Sequence, residues 1–315
     1  MTARTCCLLL LCISLYSCKK NGEEITNGDK LRVSGYVYEN FTASPKPDLS
    51  KLTDLNIAFI NPDSSGSLYI PPQTTTLISD AHAKGLRVYM SIGGGAAPYS
   101  WLHLLETKRD ILIADLVNGM TTHKFDGIDV DLEGDFINEH YPDFISELAQ
   151  ATKAKNKLLT AALATWNADI IHDSTLSRFD YINIMSYDAT GPWNPGQPGQ
   201  HSPISMTEND INYFVNKRSI DPSKLLAGLP FYGYFFTSGT VIPMTFADIV
   251  SQYPEAGDKD EVNLPSGTIY YNGIPTIKQK VNLAMRRKLA GVMIWELNQD
   301  GAGNNSLLKA ISEEN

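Results

Sequence analysis

Residues 125–135 read FDGIDVDLEGD and contain five carboxylates in their last ten positions. Apolar and acidic side chains alternate along the centre of the stretch: Ile128, Val130 and Leu132 against Asp129, Asp131 and Glu133. A period of two indicates a β-strand with the apolar set on one face and the acids on the other. A solvated surface strand or a calcium loop would also contain acids, but a calcium loop needs a flexible turn, and this stretch is apolar and β-branched.

Seven further apolar runs bring the strand candidates to eight, namely residues 31–38, 55–60, 86–92, 125–133, 158–165, 180–188, 225–233 and 290–297. Apolar residues at helical spacing lie between several of them, most clearly over 141–155 and 277–289. This alternation predicts an α/β fold, a (β/α)8 TIM barrel, with a doubly wound open sheet as the alternative.

In a barrel, the acidic face of residues 125–133 lines the interior and rises towards the C-terminal mouth, where active sites of this fold lie. Carboxylates this close repel one another and lose hydration. At least one of them should therefore have a raised pKa, hold a proton at neutral pH and act as a general acid.

Length and composition limit the possible functions. The chain has 315 residues, 43% of them hydrophobic, so it can bury a large core and is not expected to be disordered. Its formal net charge of -9, without a dense Lys/Arg cluster, argues against a nucleic-acid partner and favours a neutral or cationic one. No composition shift marks a boundary, so residues 30–315 are predicted to form a single barrel domain, monomeric in the absence of any evident need for a second copy.

The N-terminus is typical of an exported protein. All four cysteines lie in its first 18 residues: Cys6, Cys7, Cys12 and Cys18. The apolar run before Cys18 is too short to anchor the chain by spanning a bilayer, and it resembles a bacterial lipoprotein signal that is cleaved before a lipidated cysteine. An ordinary secretory peptide is the alternative. We therefore expect a signal peptide over 1–18, a polar tether over 19–29, and a membrane-anchored lipoprotein on the periplasmic or cell-surface side, without disulfides.

The acidic stretch resembles a known family signature. DGIDVDLE matches the D-G-x-D-x-D-x-E motif of glycoside hydrolase family 18, the chitinases and their relatives, with Asp126, Asp129, Asp131 and Glu133 in place. Other segments agree in order: SIGG with Ser91, Gly93 and Gly94; MSYD with Met185, Tyr187 and Asp188; GLPFYG; and GVMIWELNQD with Trp295. The resemblance covers nearly the whole chain after the tether.

The resemblance implies a retaining mechanism in which the acetamido group of the substrate is the nucleophile. Glu133 would protonate the glycosidic oxygen and later activate water, and Asp131 would orient the acetamido group. Asp129 would share a proton or hydrogen bond with Asp131. Tyr187 would donate its hydroxyl to the acetamido oxygen. The remaining residues of the implied pocket are Asp188 and Met185, which shape it, and Trp295, which lies beneath the sugar ring.

Other residues are predicted from position alone. Gly93 and Gly94 would allow the backbone to approach the acidic strand closely. Trp193 lies in a loop and is interpreted as a platform on the leaving-group side, with Trp101 and Trp166 as further aromatic candidates. Tyr36 and Phe59 would either wall the pocket or pack in the core. The six histidines show no ligand-like spacing and are assigned to the surface or to loops, so no metal or other cofactor is expected: His82, His103, His123, His140, His172 and His201.

Three functions follow from this pattern. The first is hydrolysis of β-1,4-linked N-acetylglucosamine in chitin or chito-oligosaccharides. The second is endo-β-N-acetylglucosaminidase activity on N-glycan cores, and the third is glycan binding without catalysis, which the presence of Glu133 disfavours. The span between the seventh and eighth strands is predicted to be too short for the full α+β insertion module of larger chitinases. We expect a loop excursion there, and a shallow, open groove that is not processive.

Overall fold

Eight parallel strands close into a barrel surrounded by helices, in a computed structural model that describes residues 30–38 and 47–315. The strands are β1 (Arg32–Tyr38), β2 (Asp54–Ala58), β3 (Arg87–Gly93), β4 (Gly127–Asp131), β5 (Leu158–Leu163), β6 (Tyr181–Ile184), β7 (Leu225–Pro230), β8 (Tyr232–Thr237), β9 (Val241–Thr245), β10 (Glu261–Leu264), β11 (Gly267–Tyr270) and β12 (Gly291–Trp295). The helices are α1 (Pro72–His82), α2 (Ser100–Thr107), α3 (Arg109–Thr122), α4 (Tyr141–Lys153), α5 (Thr165–Ala168), α6 (Asp173–Leu176), α7 (Ile204–Asn212), α8 (Phe246–Gln252), α9 (Ile274–Arg286) and α10 (Leu307–Glu314).

The barrel confirms the predicted fold class. Each of the eight predicted runs overlaps one barrel strand, and the strand order around the barrel is β1-β12-β7-β6-β5-β4-β3-β2. Because β1 pairs with β2 on one side and with β12 on the other, the sheet is closed, and the open-sheet alternative is wrong. The predicted signal peptide with Cys18 and the predicted tether lie outside the described residues.

The alternation in β4 separates the helix layer from the barrel interior. Ile128 and Val130 are fully buried in the main apolar core. Asp129 points inward, because its carboxylate accepts hydrogen bonds from Tyr36 on β1 and Asn183 on β6, across the barrel. The strand therefore delivers its acids to the interior and towards the mouth, as the period of two predicts.

Asp126 precedes the first residue of β4 and so lies at the opposite end of the barrel from the mouth. Its carboxylate accepts the backbone N–H of Val88 at 2.9 Å and contacts His82 at 2.8 Å and Lys157 at 3.5 Å. Asp126 thus ties β3 to neighbouring segments and takes no part in the site at the mouth.

The two predicted helices are present as α4 and α9. Lys280 on α9 is fully buried beside Val281, although a lysine on an amphipathic helix usually lies at the surface. Its ammonium donates to the carbonyl and hydroxyl oxygens of Ser202, at 2.8 and 2.6 Å, and to Asn272 Oδ1 at 2.8 Å. Burial lowers the pKa of Lys280 to about 7.

The span between β7 and β12 is not the loop excursion predicted for it. Strands β8 to β11 form a four-stranded antiparallel sheet in the order β10-β11-β8-β9, and α8 follows β9. The error arises because the predicted run 225–233 includes Tyr232, the first residue of β8. Tyr232, Tyr234 and Phe236 alternate along β8 and share one buried face, so they belong to a separate strand. The span therefore holds a small α+β unit, and the shallow groove stays a prediction.

Within residues 30–38 and 47–315, none of the helices combines the length and the apolar character needed to cross a membrane.

Candidate active site

The acids of β4 form a row that ends at the mouth of the barrel. Asp129 lies deepest and is inaccessible to solvent, Asp131 is the last residue of the strand and is also buried, and Glu133 follows in an extended conformation. Burial raises the pKa of all three carboxyl groups, which is the behaviour predicted for a row of acids in a low-dielectric interior.

Asp129 is held by four hydrogen bonds. Its carboxylate accepts from Tyr36 at 2.7 Å and Ser91 at 2.8 Å, and from Thr160 at 2.6 Å and Asn183 at 3.3 Å. These donors oppose the effect of burial on its pKa. Ser91 is part of the support of Asp129, and the sharing of a proton or hydrogen bond between Asp129 and Asp131 stays a prediction.

Asp131 has an unsatisfied oxygen. Its Oδ1 is buried and has no hydrogen-bond partner among the described residues. Burial raises its pKa well above the ordinary value, and the charges of Glu133 and Asp129 add to the effect. Because buried polar atoms are nearly always paired in folded proteins, this oxygen is suited to receive a hydrogen bond from a bound molecule.

Glu133 is the most exposed acid of the row, half-buried where Asp129 and Asp131 are buried. Burial raises its pKa to about 6, and the charge of Asp188 contributes to the rise. The carboxyl group lines two cavities, one of about 330 Å³ and one of about 340 Å³. Gly95 lies beside it, since a Cβ built at this glycine would be 3.5 Å from Glu133 Oε1.

Aromatic rings form the floor and wall of the 330 Å³ cavity. Trp295, at the end of β12, and Phe59, just after β2, both line it, and their rings stack at 5.5 Å between centroids and 26° between planes. Tyr36 meets the edge of Trp295 at 5.5 Å but does not line the cavity. Phe59 is therefore a wall of the pocket, whereas Tyr36 supports Trp295 and Asp129.

Two glycines bring β3 against β4. Gly93 and Gly94 have φ values of 99° and 85°, which are accessible mainly to glycine. A Cβ at Gly93 would collide with the carbonyl of Asp131, and one at Gly94 with the ring of Phe59. The N–H of Gly94 donates to the carbonyl oxygen of Asp131 at 2.7 Å. These glycines thus fix the backbone of the acidic row.

The segment after β6 supplies the opposite wall. Met185, Tyr187 and Asp188 line both cavities that Glu133 reaches. Burial raises the pKa of Tyr187 well above its ordinary value, and the surrounding acids add to the rise, so its hydroxyl remains a donor. Asp188 adopts a φ of 66° and accepts hydrogen bonds from the hydroxyl groups of Tyr232 at 2.6 Å and Tyr234 at 2.9 Å.

His201, predicted to be a surface or loop residue, lies in the loop between β6 and α7 but is not at the surface. Its side chain is fully buried, with Nδ1 3.4 Å from the backbone nitrogen and 3.3 Å from Oδ1 of Asp188. Its Nε2 is 3.2 Å from the carbonyl oxygen of Tyr232, and its ring contacts those of Tyr232 and Tyr234 at 5.0 Å. The burial follows from these polar partners, which are distant in sequence.

The 340 Å³ cavity is also lined by Glu133, but Trp295 does not line it. Trp166 and Trp193 line it and are 65% and 60% exposed, which is unusual for tryptophan. The ring of Trp193 meets the edge of Tyr234 at 5.9 Å. Trp101, by contrast, is fully buried and donates its indole N–H to Asn61 at 3.1 Å, so only Trp166 of the two further aromatic candidates reaches the site.

Sequence reasoning missed several residues that support the site: Thr160, Asn183, His201, Tyr232 and Tyr234. Alternation contained part of the signal. Asn183 is two residues before Met185 and four before Tyr187 and so shares their inward face, and Tyr232 and Tyr234 share a face of β8. Among the described residues, no group of three or more His, Cys, Asp or Glu side chains is arranged to hold a metal ion.

The chain matches one family model, described as Glycosyl hydrolases family 18, over residues 32–300. It is similar to the crystal structure of the GH18 chitinase ChiB from the chitin utilization locus of Flavobacterium johnsoniae, with 35% identity and a TM-score of 0.83, over 91% of this chain and 94% of that one. A chitinase structure from Bacteroides thetaiotaomicron is 27% identical, with a TM-score of 0.79, over 91% of this chain and 96% of that one.

Two curated relatives are also named as chitinases, and they match a smaller share of the chain. Probable chitinase 10 of Drosophila melanogaster is 26% identical over 73% of this chain and 13% of its own length. Probable chitinase 2 of the same organism is 27% identical over 68% of this chain and 56% of its own length. The chain therefore spans less than two thirds of either relative.

Proposed function

Because the chain belongs to family 18 of the glycosyl hydrolases, we propose that it is a retaining glycoside hydrolase that cleaves β-1,4-linked N-acetylglucosamine in chitin or chito-oligosaccharides. The observation that carries this proposal is the position of Glu133. Glu133, with a pKa raised to about 6, lines both the cavity that Trp295 lines and the cavity that Trp166 and Trp193 line. A sugar chain that crosses both cavities presents a glycosidic bond to this acid.

In the proposed first step, Glu133 transfers its proton to the glycosidic oxygen while the bond from that oxygen to C1 breaks. The acetamido oxygen of the sugar on Trp295 attacks C1 from the opposite face and forms a cyclic oxazolinium ion. Asp131 accepts the acetamido N–H through its unpaired Oδ1 and stabilises the positive charge that develops on the ring. Tyr187 donates its hydroxyl group to the acetamido oxygen.

In the second step, the Glu133 carboxylate removes a proton from water, and the water oxygen attacks C1. The oxazolinium ring opens, the acetamido group is restored and Glu133 regains its proton. Two inversions at C1 leave the product with the configuration of the substrate. A second protein carboxylate as nucleophile is not required, because the substrate supplies that group.

The test is incubation of residues 19–315 with a chito-oligosaccharide series and, separately, with an N-glycosylated protein, followed by mass analysis of the products. Cleavage of the oligosaccharides, with the β-anomer formed first, is the expected result. Release of glycan that leaves one N-acetylglucosamine on the protein would replace the proposal with the N-glycan activity. Binding of either substrate without products would replace it with a non-catalytic role.

A further inference from the structure

The end of the barrel opposite the mouth carries many exposed cations. The barrel helices run antiparallel to the strands, so the last residue of each helix and the turn that follows it lie at this end. Within residues 83–290, seven exposed Lys and Arg side chains at this end form no ion pair with any described residue. We call this set the basic face: Lys84, Lys124, Lys153, Lys155, Arg178, Arg286 and Lys288.

The basic face is continuous around the barrel. Its residues lie just before β3, β4, β5, β6 and β12, and these strands are neighbours in the barrel except that β7 lies between β6 and β12. Before β7, Lys217 is also exposed, although it pairs with Asp169 at 2.8 Å. Packed helices are ~10 Å apart, which is about one Debye length at 0.1 M salt. The potentials of neighbouring cations therefore add, and the fold collects on one surface charges that are scattered along the sequence.

The acids at the same end compensate this charge only in part. Asp126 contacts Lys157 and His82, as described above. Asp180 accepts the backbone N–H of Leu159 at 2.8 Å, and Asp221 accepts that of Ser223 at 2.9 Å. Asp80, in the last turn of α1, is a further exposed acid. A positive excess remains, because the exposed cations outnumber these acids.

The mouth has the opposite sign. Five segments that follow barrel strands, 59–71, 94–99, 132–140, 185–203 and 296–306, contain no Lys or Arg. Their acids are Asp63, Glu133, Asp135, Glu139, Asp188, Glu296 and Asp300. The small α+β unit, over 231–273, adds one lysine, Lys259, and five acids. Charge is thus separated along the barrel axis, and such a separation orients a protein in the field of a charged surface.

The chain enters the barrel at its basic end. Leu31 directly precedes β1 and donates its N–H to Asn315 Oδ1 at 2.7 Å. All residues upstream of Leu31 are therefore joined to the barrel at the end that carries the basic face, and Cys18, the predicted lipid attachment site, is one of them. A lipid at Cys18 would tether the barrel by this end rather than by the mouth.

We propose that the basic face docks on an anionic phospholipid surface and turns the mouth of the barrel away from it. Lys and Arg side chains donate charge-assisted hydrogen bonds to lipid phosphate groups, and the acids of the mouth are repelled by the same surface. The mouth then stays accessible to a polymer on the side away from the membrane. This inference goes beyond the proposed hydrolysis and does not rest on it.

The first experiment measures binding to vesicles. Residues 19–315 include every described strand and helix and none of the four cysteines, so no lipid is attached. The vesicles contain phosphatidylcholine alone or with about 30 mol% phosphatidylglycerol, and binding is followed by sedimentation. We expect binding to the anionic vesicles only, and its loss in about 0.5 M NaCl, because salt screens the attraction.

Charge variants test which end of the barrel binds. Lys155→Gln combined with Lys288→Gln should weaken binding roughly twentyfold, about fivefold for each cation removed from the surface. The matched control is Lys108→Gln combined with Lys259→Gln, which removes the same charge from positions outside the basic face and should change the affinity less than twofold. Equal affinities of the two double variants would overturn the basic face. Binding to a short duplex DNA as tight as to the anionic vesicles would replace the membrane by nucleic acid.

A second measurement tests the orientation. Residues 19–315 contain no cysteine, so Ala83→Cys and Ala302→Cys each provide one exposed labelling site, the first at the basic end and the second at the mouth. A fluorophore at residue 83 should be quenched by lipids with a quencher in the headgroup, whereas one at residue 302 should not. Equal quenching at the two positions, or stronger quenching at residue 302, would refute the orientation. Loss of oligosaccharide cleavage in the unmodified protein would instead refute the hydrolase and leave these readouts unchanged.

Discussion

Replacing Glu133 with Gln should make the protein more stable at neutral pH while nearly abolishing turnover. Burial raises the pKa of Glu133 from 4.5 to about 6, so keeping this carboxyl group ionised in the folded state costs about 2 kcal/mol at about 1.4 kcal/mol per pKa unit. Gln fills the same space without a charge. It also removes the negative charge that raises the pKa of Asp131, which adds to the gain.

The sign of the pH dependence follows from the direction of the shift. A carboxyl group whose folded pKa exceeds its unfolded pKa favours the folded state fully below 4.5 and loses that contribution as the pH rises through about 6. The stabilising effect of Glu133→Gln should therefore be absent near pH 4 and complete above pH 7. In a domain of this size, about 2 kcal/mol corresponds to a rise in Tm of roughly 4 °C.

The assay is thermal unfolding of the unmodified protein and the variant at a series of pH values, with Glu208→Gln as a control on the exposed face of α7. Turnover of a chito-oligosaccharide should fall roughly a hundred- to ten-thousandfold, the usual contribution of a positioned general acid. An equal Tm for Glu133→Gln and Glu208→Gln at pH 7 would show that burial of the ionised Glu133 carboxylate does not destabilise the folded state. Near-normal turnover would remove Glu133 from the role of the acid.

Four further predictions follow from the site and from the sequence. Asp131→Asn should reduce kcat roughly a hundredfold or more and shift the pH optimum, because it changes the group whose Oδ1 is unpaired. A kcat equal to that of the unmodified protein would contradict the role of Asp131 as the acceptor of the acetamido N–H. Asp188→Asn should move the alkaline limb of the kcat/KM profile to lower pH, since the charge of Asp188 helps to raise the pKa of Glu133; an unmoved limb would argue against this coupling. On insoluble chitin, dimers released by successive cuts along one chain should be a minor share of the early products. A large majority of such dimers would refute the open groove. Cys18→Ala should lose incorporation of labelled fatty acid in the native host, and retained label would place the lipid elsewhere or exclude it.

The barrel was predictable because its signals are local. Each strand run can be recognised within a few residues, and the alternation from Ile128 to Glu133 fixes which face holds the acids. The same alternation identifies the row Asp129, Asp131 and Glu133 before any contact is known. Burial raises the pKa of all three acids, because a barrel interior disfavours the charged form of a carboxyl group.

Contacts between distant segments were not predictable in the same way. His201, predicted to be a surface or loop residue, and Lys280 are polar side chains of a kind that usually lies at the surface, yet each is buried by partners from other parts of the chain. Tyr232 and Tyr234 carry a local strand signal, but their bond to Asp188 depends on how β8 packs against the segment after β6. The cavities that Glu133 lines depend on how several segments pack together, which no pattern in the sequence describes.

The small sheet between β7 and β12 has a practical consequence for anyone who wishes to retune this protein. Two tyrosine hydroxyl groups of its strand β8 donate hydrogen bonds to Asp188, and the charge of Asp188 raises the pKa of Glu133. Trimming the sheet to widen the groove would therefore change the acidity range in which the catalyst works, even if no catalytic side chain were touched. Conversely, substitutions confined to β8 should shift the pH range of activity while they leave the acidic row itself unchanged.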